Sequence, residues 1–394
     1  MQDESLPMKK LLFVIDSLGC GGAEKSLVSL LPLLNRDKYE IHLWMLHRGG
    51  AFEGLIPNHV LIEATPSYSY WEGMRMHWAH FRYSLSFRLK NLMGKNEHGA
   101  ETLWKSVGAA FQVPKQEYDV AIAYQQGFPT YLVATKIHAK KKIAWINVNI
   151  FNAGYNTLFN AKFYDRFDVL VPVSNDLEAI LRDRYSQYNN KYCCVYDILN
   201  PELIRKQAAE DIIEKPLFNS DFINIVTAGR LAAQKNHILA VEAAKIMKDK
   251  GLNFKWIFIG EGGERSRIEK LIAEYHLENR VILLGMRTNP YPYMSRCDVY
   301  VQTSSFEGFG LTIAEAKILG KPVVSTNFDV VHDQLKHEEN GLIAEMTPES
   351  VAENIVRLLD DKVLRNHIID SVSKEQNTTY ITEVEKVEKM IDAN

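Results

Sequence analysis

Two glutamates in the C-terminal half of the chain are spaced for binding a ligand that is rich in hydroxyl groups. Glu307 and Glu315 have seven residues between them, and Gly308 and Gly310 follow the first of the two. Ionised carboxylates accept hydrogen bonds from hydroxyl groups, and a backbone without Cβ atoms can approach a ligand closely. The pattern indicates one carboxylate for a sugar and a second for a ribose, with a diphosphate between them.

A predicted helix starts directly after Gly310 and supplies the groups that an anion needs. Its first amides, at Leu311 and Thr312, have no acceptor within the helix, and the helix dipole is positive at this end. The apolar run at residues 299–303 predicts a strand just before the loop. Glu307 therefore follows the carboxyl end of a predicted strand, where open α/β sheets bind ligands.

Two basic residues, Arg230 and Lys235, follow another predicted strand at residues 223–228. Beside a phosphate group, both could neutralise the negative charge that grows on it as it leaves. The alternative is an exposed pair of cations that contributes little to stability or function.

The turn after the first predicted strand contains Gly21 and Gly22. Such glycines bring backbone amides to phosphates or serve only a structural turn, and both interpretations stay open. The turn does not match G-x-G-x-x-G, which argues against a dinucleotide site.

The elements that must position these residues form two halves, in which apolar runs typical of buried parallel strands alternate with helical patterns. The predicted strands lie at residues 10–15, 41–46, 120–123, 143–146, 169–173, 192–195, 223–228, 256–260, 281–284, 299–303 and 322–325. The predicted helices lie at residues 23–34, 237–248, 264–275, 312–319 and 384–392. We therefore expect an α/β fold with one domain at 1–198, a second at 199–378 and a helix within 379–394. A single large sheet is the alternative.

The composition excludes several classes of protein. A formal net charge of -3 gives no global attraction to nucleic acid, which is not expected as a partner. The four cysteines form no CxxC pair, which favours a reducing compartment. No apolar run approaches the ~18 residues of a membrane span, and the first run is too short for a signal peptide. The expected location is the cytoplasm.

The motifs together resemble the retaining GT-B glycosyltransferases of family four, the glycosyl transferases group 1. Glu307 and Glu315 match the E-x7-E motif of that family. Residues 229–236 are similar to its G-R-L-x-x-x-K-N/G loop, residues 260–262 to its G-x-G turn and residues 284–285 to the start of its base-binding loop. Residues 16–24 look like its glycine loop.

The resemblance runs from about residue 9 to about residue 359, with the motifs in the family's order. It implies a GT-B architecture of two Rossmann-like domains that face a central cleft. The first domain would bind the acceptor, the second would bind the nucleotide sugar, and the helix within 379–394 would pack back on the first domain.

The resemblance also implies a role for each site residue. Arg230 and Lys235 would clamp the diphosphate, and with Glu307, which would hold sugar hydroxyls, they form the expected catalytic group. The expected donor-binding residues are Gly21, Gly22, Arg230, Lys235, Gly260, Met286, Arg287, Glu307, Gly308, Phe309, Gly310, Leu311, Thr312 and Glu315. Glu315 would hold the ribose, and the backbone at Met286 and Arg287 would hold the base. Trp145 and Asn147 would contact the acceptor or the transferred sugar.

The sequence departs from the family's pattern at two points. Asn147 stands where many relatives carry a histidine, and an amide cannot carry a proton at neutral pH. A histidine-assisted role is therefore in doubt at this position. The chain also lacks a D-x-D pair that would hold a metal-bound diphosphate. We expect no metal and no cofactor, with basic side chains and helix amides neutralising the phosphates.

An aromatic and basic segment at residues 71–92 has the periodicity of an amphipathic helix. Its apolar stripe consists of Trp71, Met74, Trp78, Phe81, Leu85, Leu89 and Leu92, and its basic residues are Arg75, Arg82, Arg88 and Lys90. Such a helix could lie on an anionic membrane near a lipid-linked acceptor. Packing against its own domain is the alternative.

These observations favour a retaining, metal-independent hexosyltransferase. It would move a hexose or N-acetylhexosamine from a nucleoside diphosphate sugar, by resemblance a UDP-sugar, to a glycan or lipid-linked acceptor in cell-surface polysaccharide synthesis. It would lie in the cytoplasm, and it could bind peripherally to the inner face of the cell membrane. The two alternatives are a sugar-nucleotide or glycan-binding protein without catalysis and a nicotinamide oxidoreductase.

Overall fold

The computed structural model describes residues 8–19, 21–63, 77–78, 81–86, 88, 98–108, 111, 113, 116–211, 217–375 and 379–393. The chain divides into two compact units. The first consists of Met1–Ile198 with Ile381–Asn394, and the second is Leu199–Tyr380. Each unit contains one six-stranded sheet.

The sheet of the first unit is parallel and has the strand order β3-β2-β1-β4-β5-β6. Its strands are β1 (Lys9–Ile15), β2 (Tyr39–Met45), β3 (Leu61–Ile62), β4 (Glu117–Ala123), β5 (His138–Ile146) and β6 (Val169–Pro172). The central strand β1 ends in five fully buried apolar residues, as the continuous apolar run predicts. Short β3 is an edge strand that the sequence did not indicate.

The helices of the first unit connect these strands. They are α1 (Gly22–Leu30), α2 (Gly99–Val107), α3 (Phe128–Thr135), α4 (Thr157–Tyr164) and α5 (Asn175–Arg184). The helix predicted at 23–34 ends earlier, at Leu30, and continues as the 3-10 turn Leu31–Leu33. Pro32 lies in that turn, and proline has no amide hydrogen with which to continue an α-helix.

The strand predicted at residues 192–195 is wrong, because this segment forms only an isolated bridge between Tyr192 and Leu170 of β6. The amide of Val195 still donates to the carbonyl of Pro172 at 3.1 Å. Pro172 cannot donate in return, since it lacks an amide hydrogen. The ladder therefore stops after one bridge.

The sheet of the second unit is also parallel, with the order β12-β11-β10-β7-β8-β9. Its strands are β7 (Ile223–Ala228), β8 (Phe254–Ile259), β9 (Val281–Gly285), β10 (Val299–Gln302), β11 (Val323–Thr326) and β12 (Leu342–Ala344). Its helices are α6 (Pro201–Ala208), α7 (His237–Asp249), α8 (Arg265–Glu274), α9 (Tyr291–Met294), α10 (Leu311–Ile318), α11 (Pro348–Asp360) and α12 (Lys362–Lys374). Two buried apolar clusters fill this unit, as expected for a sheet covered by helices on both faces.

The last helix, α13 (Thr379–Asp392), brings the chain back to the first unit. Lys9 of β1 forms an ion pair with Asp392 at 3.0 Å, and the Tyr39 hydroxyl donates to the same carboxylate at 3.0 Å. Glu383, 3% exposed, accepts a hydrogen bond from the amide of Tyr196 at 2.9 Å. These contacts attach the end of the chain to strands near its beginning.

Most of the segment at 71–92 lies outside the described residues. The stripe and basic residues of the predicted helix that lie outside are Trp71, Met74, Arg75, Leu89, Lys90 and Leu92. Residues 81–86 are helical, and Trp78, Phe81 and Leu85 are exposed. Among the helices in the described part of the chain, none is long and apolar enough to cross a bilayer.

Candidate functional site

The loops after the strands of the second sheet meet at one edge, because all strands of a parallel sheet end on the same side. Backbone hydrogen bonds join these loops. The amide of Gly260, after β8, donates to the carbonyl of Gly285 at 2.9 Å, and the amide of Ser305, after β10, donates to the carbonyl of Gln234 at 2.8 Å. The predicted donor-binding residues of this unit are thus brought to one edge of the sheet.

Gly260 permits the closest of these approaches. A Cβ atom at this position would lie 1.9 Å from the carbonyl oxygen of Gly229, and the φ angle of 150° is one that other residues rarely adopt. The structure therefore requires glycine here for loop packing. A role in donor binding stays a prediction.

Lys235 and Glu307 form an ion pair across the loops after β7 and β10. Lys235 ends the 3-10 turn Ala233–Lys235, and Thr303 donates its hydroxyl to the Lys235 carbonyl at 3.1 Å. The side chains are 19% and 9% exposed, so the pair lies largely out of solvent. These are two of the three residues predicted as the catalytic group.

The carboxylate of Glu307 has three further donors. Ser304 donates its hydroxyl to Oε1 at 2.6 Å, the Gln302 amide donates to Oε1 at 3.0 Å and the Gln234 amide donates to Oε2 at 3.3 Å. Hydrogen bonds from charged and neutral donors stabilise an ionised carboxylate in a partly buried position. Glu307 is therefore a fixed hydrogen-bond acceptor.

Helix α10 begins beside this carboxylate. Its N-cap, Gly310, has a φ angle of 85°, in the left-handed region that favours glycine. The hydroxyl of Thr312, in the first turn, donates to Oε1 of Gln302. The helix start, with the amides of Leu311 and Thr312, is thereby attached to the ion-pair cluster.

Glu315 lies one turn further along α10 and is fully buried. Its Oε1 accepts a hydrogen bond from the Tyr291 hydroxyl, at 3.0 Å, on the short helix α9. Burial, reinforced by the neighbouring Glu315 carboxylate, raises the pKa of Tyr291 well above its usual value. Tyr291 thus stays a hydrogen-bond donor at all ordinary pH values.

The remaining predicted residues of this unit lie in the loops at the same edge. Arg230 is exposed and makes no ion pair with any residue that the structure describes. Met286 is 54% exposed, and Arg287 donates to the Met286 carbonyl at 3.0 Å and to the Tyr293 hydroxyl at 3.3 Å. Phe309 packs beside one of the two apolar clusters.

In the first unit, Trp145 and Asn147 occupy the carboxyl end of β5. Trp145 is buried and stacked on Tyr124, with ring centroids 4.8 Å apart. Asn147 donates its side-chain amide to the Tyr124 carbonyl at 2.9 Å, and its backbone amide donates to Gln126 Oε1 at 3.0 Å. Trp145 is a core residue, and the acceptor contact of both residues stays a prediction.

Carboxyl groups lie near the glycine turn of the first unit. A Cβ atom at Gly21, the N-cap of α1, would lie 2.0 Å from the Glu24 carboxylate, and Gly22 is the first helical residue. Burial, with a smaller effect of Glu24, raises the pKa of Asp16 to about 7. Burial is also the main cause that raises the pKa of Asp197 to about 7, again with Glu24 contributing.

Sequence reasoning missed Gln302, Ser304, Gln234 and Tyr291, all of which contact a predicted carboxylate. One signal was present for Gln302, which is the polar end of the otherwise apolar strand β10. A buried polar side chain needs a partner, and at the carboxyl end of a strand that partner belongs to the site. Tyr291 had no such signal, because its partner lies 24 residues away.

The chain is similar in sequence and in fold to known proteins. Residues 208–375 match the model of the family described as glycosyl transferases group 1. The chain is 29% identical over 363 residues to a Campylobacter jejuni protein, N-acetylgalactosamine-N,N'-diacetylbacillosaminyl-diphospho-undecaprenol 4-alpha-N-acetylgalactosaminyltransferase. That match covers 91% of this chain and 92% of the relative.

Two solved structures share the fold. HepE of Anabaena, in complex with UDP and glucose, aligns with a TM-score of 0.72 and 17% identity, over 98% of this chain and 100% of that one. A TarM mutant of S. aureus, in complex with Fondaparinux, alpha-GlcNAc-glycerol and UDP, aligns with a TM-score of 0.69 and 14% identity, over 98% and 100%. The two parallel six-stranded sheets are thus those of the GT-B fold, as the sequence predicts. Residues 208–375 thus match the glycosyl transferases group 1 family, and the chain as a whole is similar to a glycosyltransferase over 91% of its length.

Proposed function

We propose that the protein is a retaining, metal-independent glycosyltransferase that moves a hexose or N-acetylhexosamine from a UDP-sugar to a glycan or lipid-linked acceptor. The observation that carries the proposal is the cluster of Lys235 and Glu307 beside the first turn of α10. It puts a cation, a hydroxyl-binding carboxylate and helix amides at one edge of the sheet. A sugar attached to a diphosphate needs those three kinds of group.

The diphosphate binds to the basic groups and to the start of α10. Arg230 and Lys235 contribute two positive charges, and the amides of Leu311 and Thr312 contribute the helix dipole. Gly308 and Gly310 let the backbone reach the phosphate oxygens. Charge that develops on the leaving group is stabilised by these groups in place of a metal ion.

The two glutamates and the loop after β9 hold the rest of the donor. Glu307 accepts hydrogen bonds from the sugar hydroxyls, and Glu315, held by Tyr291, binds the ribose. The backbone at Met286 and Arg287 holds the base. HepE, which shares the fold, has been solved with UDP and glucose, and this supports a UDP-sugar as donor.

Retention follows from attack on the same face as the departing phosphate. The bond from the anomeric carbon to the phosphate oxygen breaks, and the bond to the acceptor oxygen forms on that face. The hydroxyl proton of the acceptor goes to the leaving phosphate oxygen, so no side chain is needed as a base. Asn147 fits this scheme, because an amide orients a hydroxyl without taking its proton.

In this proposal the acceptor binds to the first unit, near Trp145 and Asn147. The Campylobacter relative carries undecaprenol in its name, which supports a lipid-linked acceptor and a role in cell-surface polysaccharide synthesis. The exposed side chains of Trp78, Phe81 and Leu85 support contact with a membrane. We place the protein in the cytoplasm, peripheral to the inner face of the cell membrane.

A panel of nucleotide sugars tests the proposal. Purified protein is incubated with UDP-, GDP-, ADP- and TDP-linked sugars, with and without a polyprenyl-diphosphate glycan, and nucleotide release is measured. We expect release from one UDP-sugar, faster with acceptor, and an equal rate in EDTA and in added magnesium or manganese. Nucleotide binding without release from any donor would favour the non-catalytic alternative, and a rate restored only by metal would overturn metal independence.

A further inference from the structure

Gln302 is the last residue of β10 and is 3% exposed. Its Nε2 donates to Glu307 Oε1 at 3.0 Å and lies 3.3 Å from the Ser304 hydroxyl. Its Oε1 accepts the hydroxyl of Thr312. One buried amide therefore links the strand end, the Glu307 carboxylate and the first turn of α10.

The chemistry of these partners allows only one orientation of the amide. An ionised carboxylate accepts hydrogen bonds and cannot donate, so it must face the NH2 end of Gln302. The carbonyl end then faces Thr312, whose hydroxyl donates to it. A flip would put the carbonyl oxygen against the Glu307 carboxylate and lose the hydrogen bond to it.

The two oxygens of Glu307 are used unequally. Oε1 takes Lys235, Gln302 and Ser304, which fills its capacity to accept. Oε2 takes only the Gln234 amide, at 3.3 Å, among the residues that the structure describes. Oε2 is therefore the oxygen with lone-pair capacity left for a ligand hydroxyl.

We propose that Gln302 is a positioning residue that acts through Glu307. Its amide, oriented by Thr312, holds Oε1 so that Oε2 is presented to a sugar hydroxyl of the donor. This inference rests on the proposed function for what Oε2 binds. It also requires that position 302 be uncharged, because Lys235 balances only one carboxylate in the cluster.

The substitution Gln302→Glu tests both the donor role of the amide and the need for an uncharged side chain. It keeps the shape of the side chain and replaces the NH2 donor by a carboxylate oxygen. Two carboxylates at this distance cannot both ionise readily. The pair in the variant therefore keeps one proton, and the pKa at which it loses that proton is raised. We expect kcat of Q302E to fall about 10²-fold at pH 8, as for a misplaced reacting group. It should recover towards the wild-type value as the pH is lowered to 5.

Two sets of variants separate positioning from general damage. Gln334→Glu, at another buried glutamine of the same unit, should keep the wild-type pH profile of kcat. Thr312→Val should lower kcat because it removes the donor that holds the Gln302 carbonyl, and Thr312→Ser, which keeps the hydroxyl, should restore it. Equal pH profiles for Q302E and wild type, or equal kcat for the valine and serine variants, would overturn the inference.

Unfolding measured against pH tests the contact without any activity. In Q302E the folded state binds a proton that the unfolded state releases above about pH 4.3. Stability should therefore fall more steeply than in the wild type as the pH rises from 4 to 8. The double variant Q302E/E307Q has one carboxylate again and should lose the extra slope. If the slope persists in the double variant, Gln302 is not coupled to Glu307, whatever reaction the protein performs.

Discussion

Lys235 contacts Glu307 in the structure, although the two residues are proposed to bind different parts of the donor. An ammonium group carries three hydrogen-bond donors, of which Glu307 uses one. The other two can reach phosphate oxygens while the ion pair stays intact. At the residue scale, Lys235 is therefore proposed to join the Glu307 carboxylate to the diphosphate, which would couple the two proposed functions.

Lys235→Ala should lower kcat about 10²–10³-fold, because it removes a donor to the charge that develops on the leaving group. It should also lower the free energy of unfolding, since Glu307 is left largely buried without its cation. Steady-state kinetics and chemical denaturation measure the two effects. Lys317→Ala is the control, because Lys317 pairs with Glu375 at 2.7 Å in the same unit. Loss of stability without loss of kcat in K235A would remove Lys235 from the catalytic group.

Glu307→Gln should slow transfer strongly and leave the anomeric configuration of the product unchanged. The residue is proposed to hold hydroxyl groups and not to attack the anomeric carbon, so its replacement cannot change the stereochemistry. The loss of a buried charged partner costs roughly 1–3 kcal/mol or more. NMR of the anomeric proton identifies the product, which should be α-linked from an α-linked donor. A β-linked product from the wild type would contradict the retaining mechanism.

At the element scale, the turn between β7 and α7 fixes the position of Lys235. Asn236 adopts a left-handed conformation with a φ of 45°, which asparagine tolerates better than most residues. His237 then starts α7 and is 2% exposed, with its ring edge-on to Phe258. Burial, with a smaller effect of Lys235, lowers the pKa of His237 to about 4. The turn that presents Lys235 therefore rests on a histidine that stays neutral.

Stability should fall as the pH is lowered from about 6.5 to about 4, because the unfolded state protonates His237 and the folded state does not. The effect is on the order of 3 kcal/mol at its limit. His237→Leu should show a smaller slope of unfolding free energy against pH than the wild type. His332→Leu, at an exposed histidine, should keep the wild-type slope. Equal slopes for all three proteins would show that His237 is not held neutral.

At the scale of the whole molecule, the chain leaves the first unit after Ile198 and returns to it at Ile381. The stability of the first unit therefore depends on residues that follow the whole second unit. Glu383 and Asp392 of α13 bind the backbone of Tyr196 and the side chains of Lys9 and Tyr39. The contacts of Asp392 with Lys9 and Tyr39 join residues that are 383 and 353 positions apart in the chain.

Glu383→Ala should lower the free energy of unfolding of the first unit by about 1–3 kcal/mol, because the Tyr196 amide loses its acceptor. Denaturation followed by hydrogen exchange locates the effect in one unit. Glu385→Ala is the matched control, since Glu385 is exposed on the same helix. A loss of protection confined to the second unit, or an equal effect of both substitutions, would contradict the attachment of α13 to the first unit.

The protein as a whole should sediment with anionic vesicles if the segment at 71–92 lies on the membrane. Binding should rise with the fraction of acidic lipid and fall with salt. Changing Arg75, Arg82 and Arg88 together to Gln should weaken binding by about 1 kcal/mol for each residue. The control changes three exposed arginines of the second unit to Gln, at Arg205, Arg267 and Arg357. If both triple variants bind like the wild type, the segment packs on the protein and the acceptor is presented elsewhere.

The sequence by itself determined the two parallel sheets and the chemistry at their edges. The central strand β1 ends in a continuous apolar run, because that part of the strand is buried on both faces, and this pattern is local. The loops after β7 and β10 carry Lys235 and Glu307, so these residues of the candidate site could be named from their place after a strand. Short edge strands such as β3 and β12 carry too few residues for such a pattern.

Only the tertiary structure decided which side chains meet. The Glu307 carboxylate meets Lys235 and Gln234, which lie 72 and 73 residues earlier in the chain, and also Gln302 and Ser304. No periodicity records such pairs, because hydrogen-bond partners across loops depend on how the strands are ordered in the sheet. The interruption beside Pro172 and the return of α13 to the first unit likewise depend on contacts between distant segments. Local sequence patterns determine the helices and strands, and the packing of distant elements determines the geometry of the site.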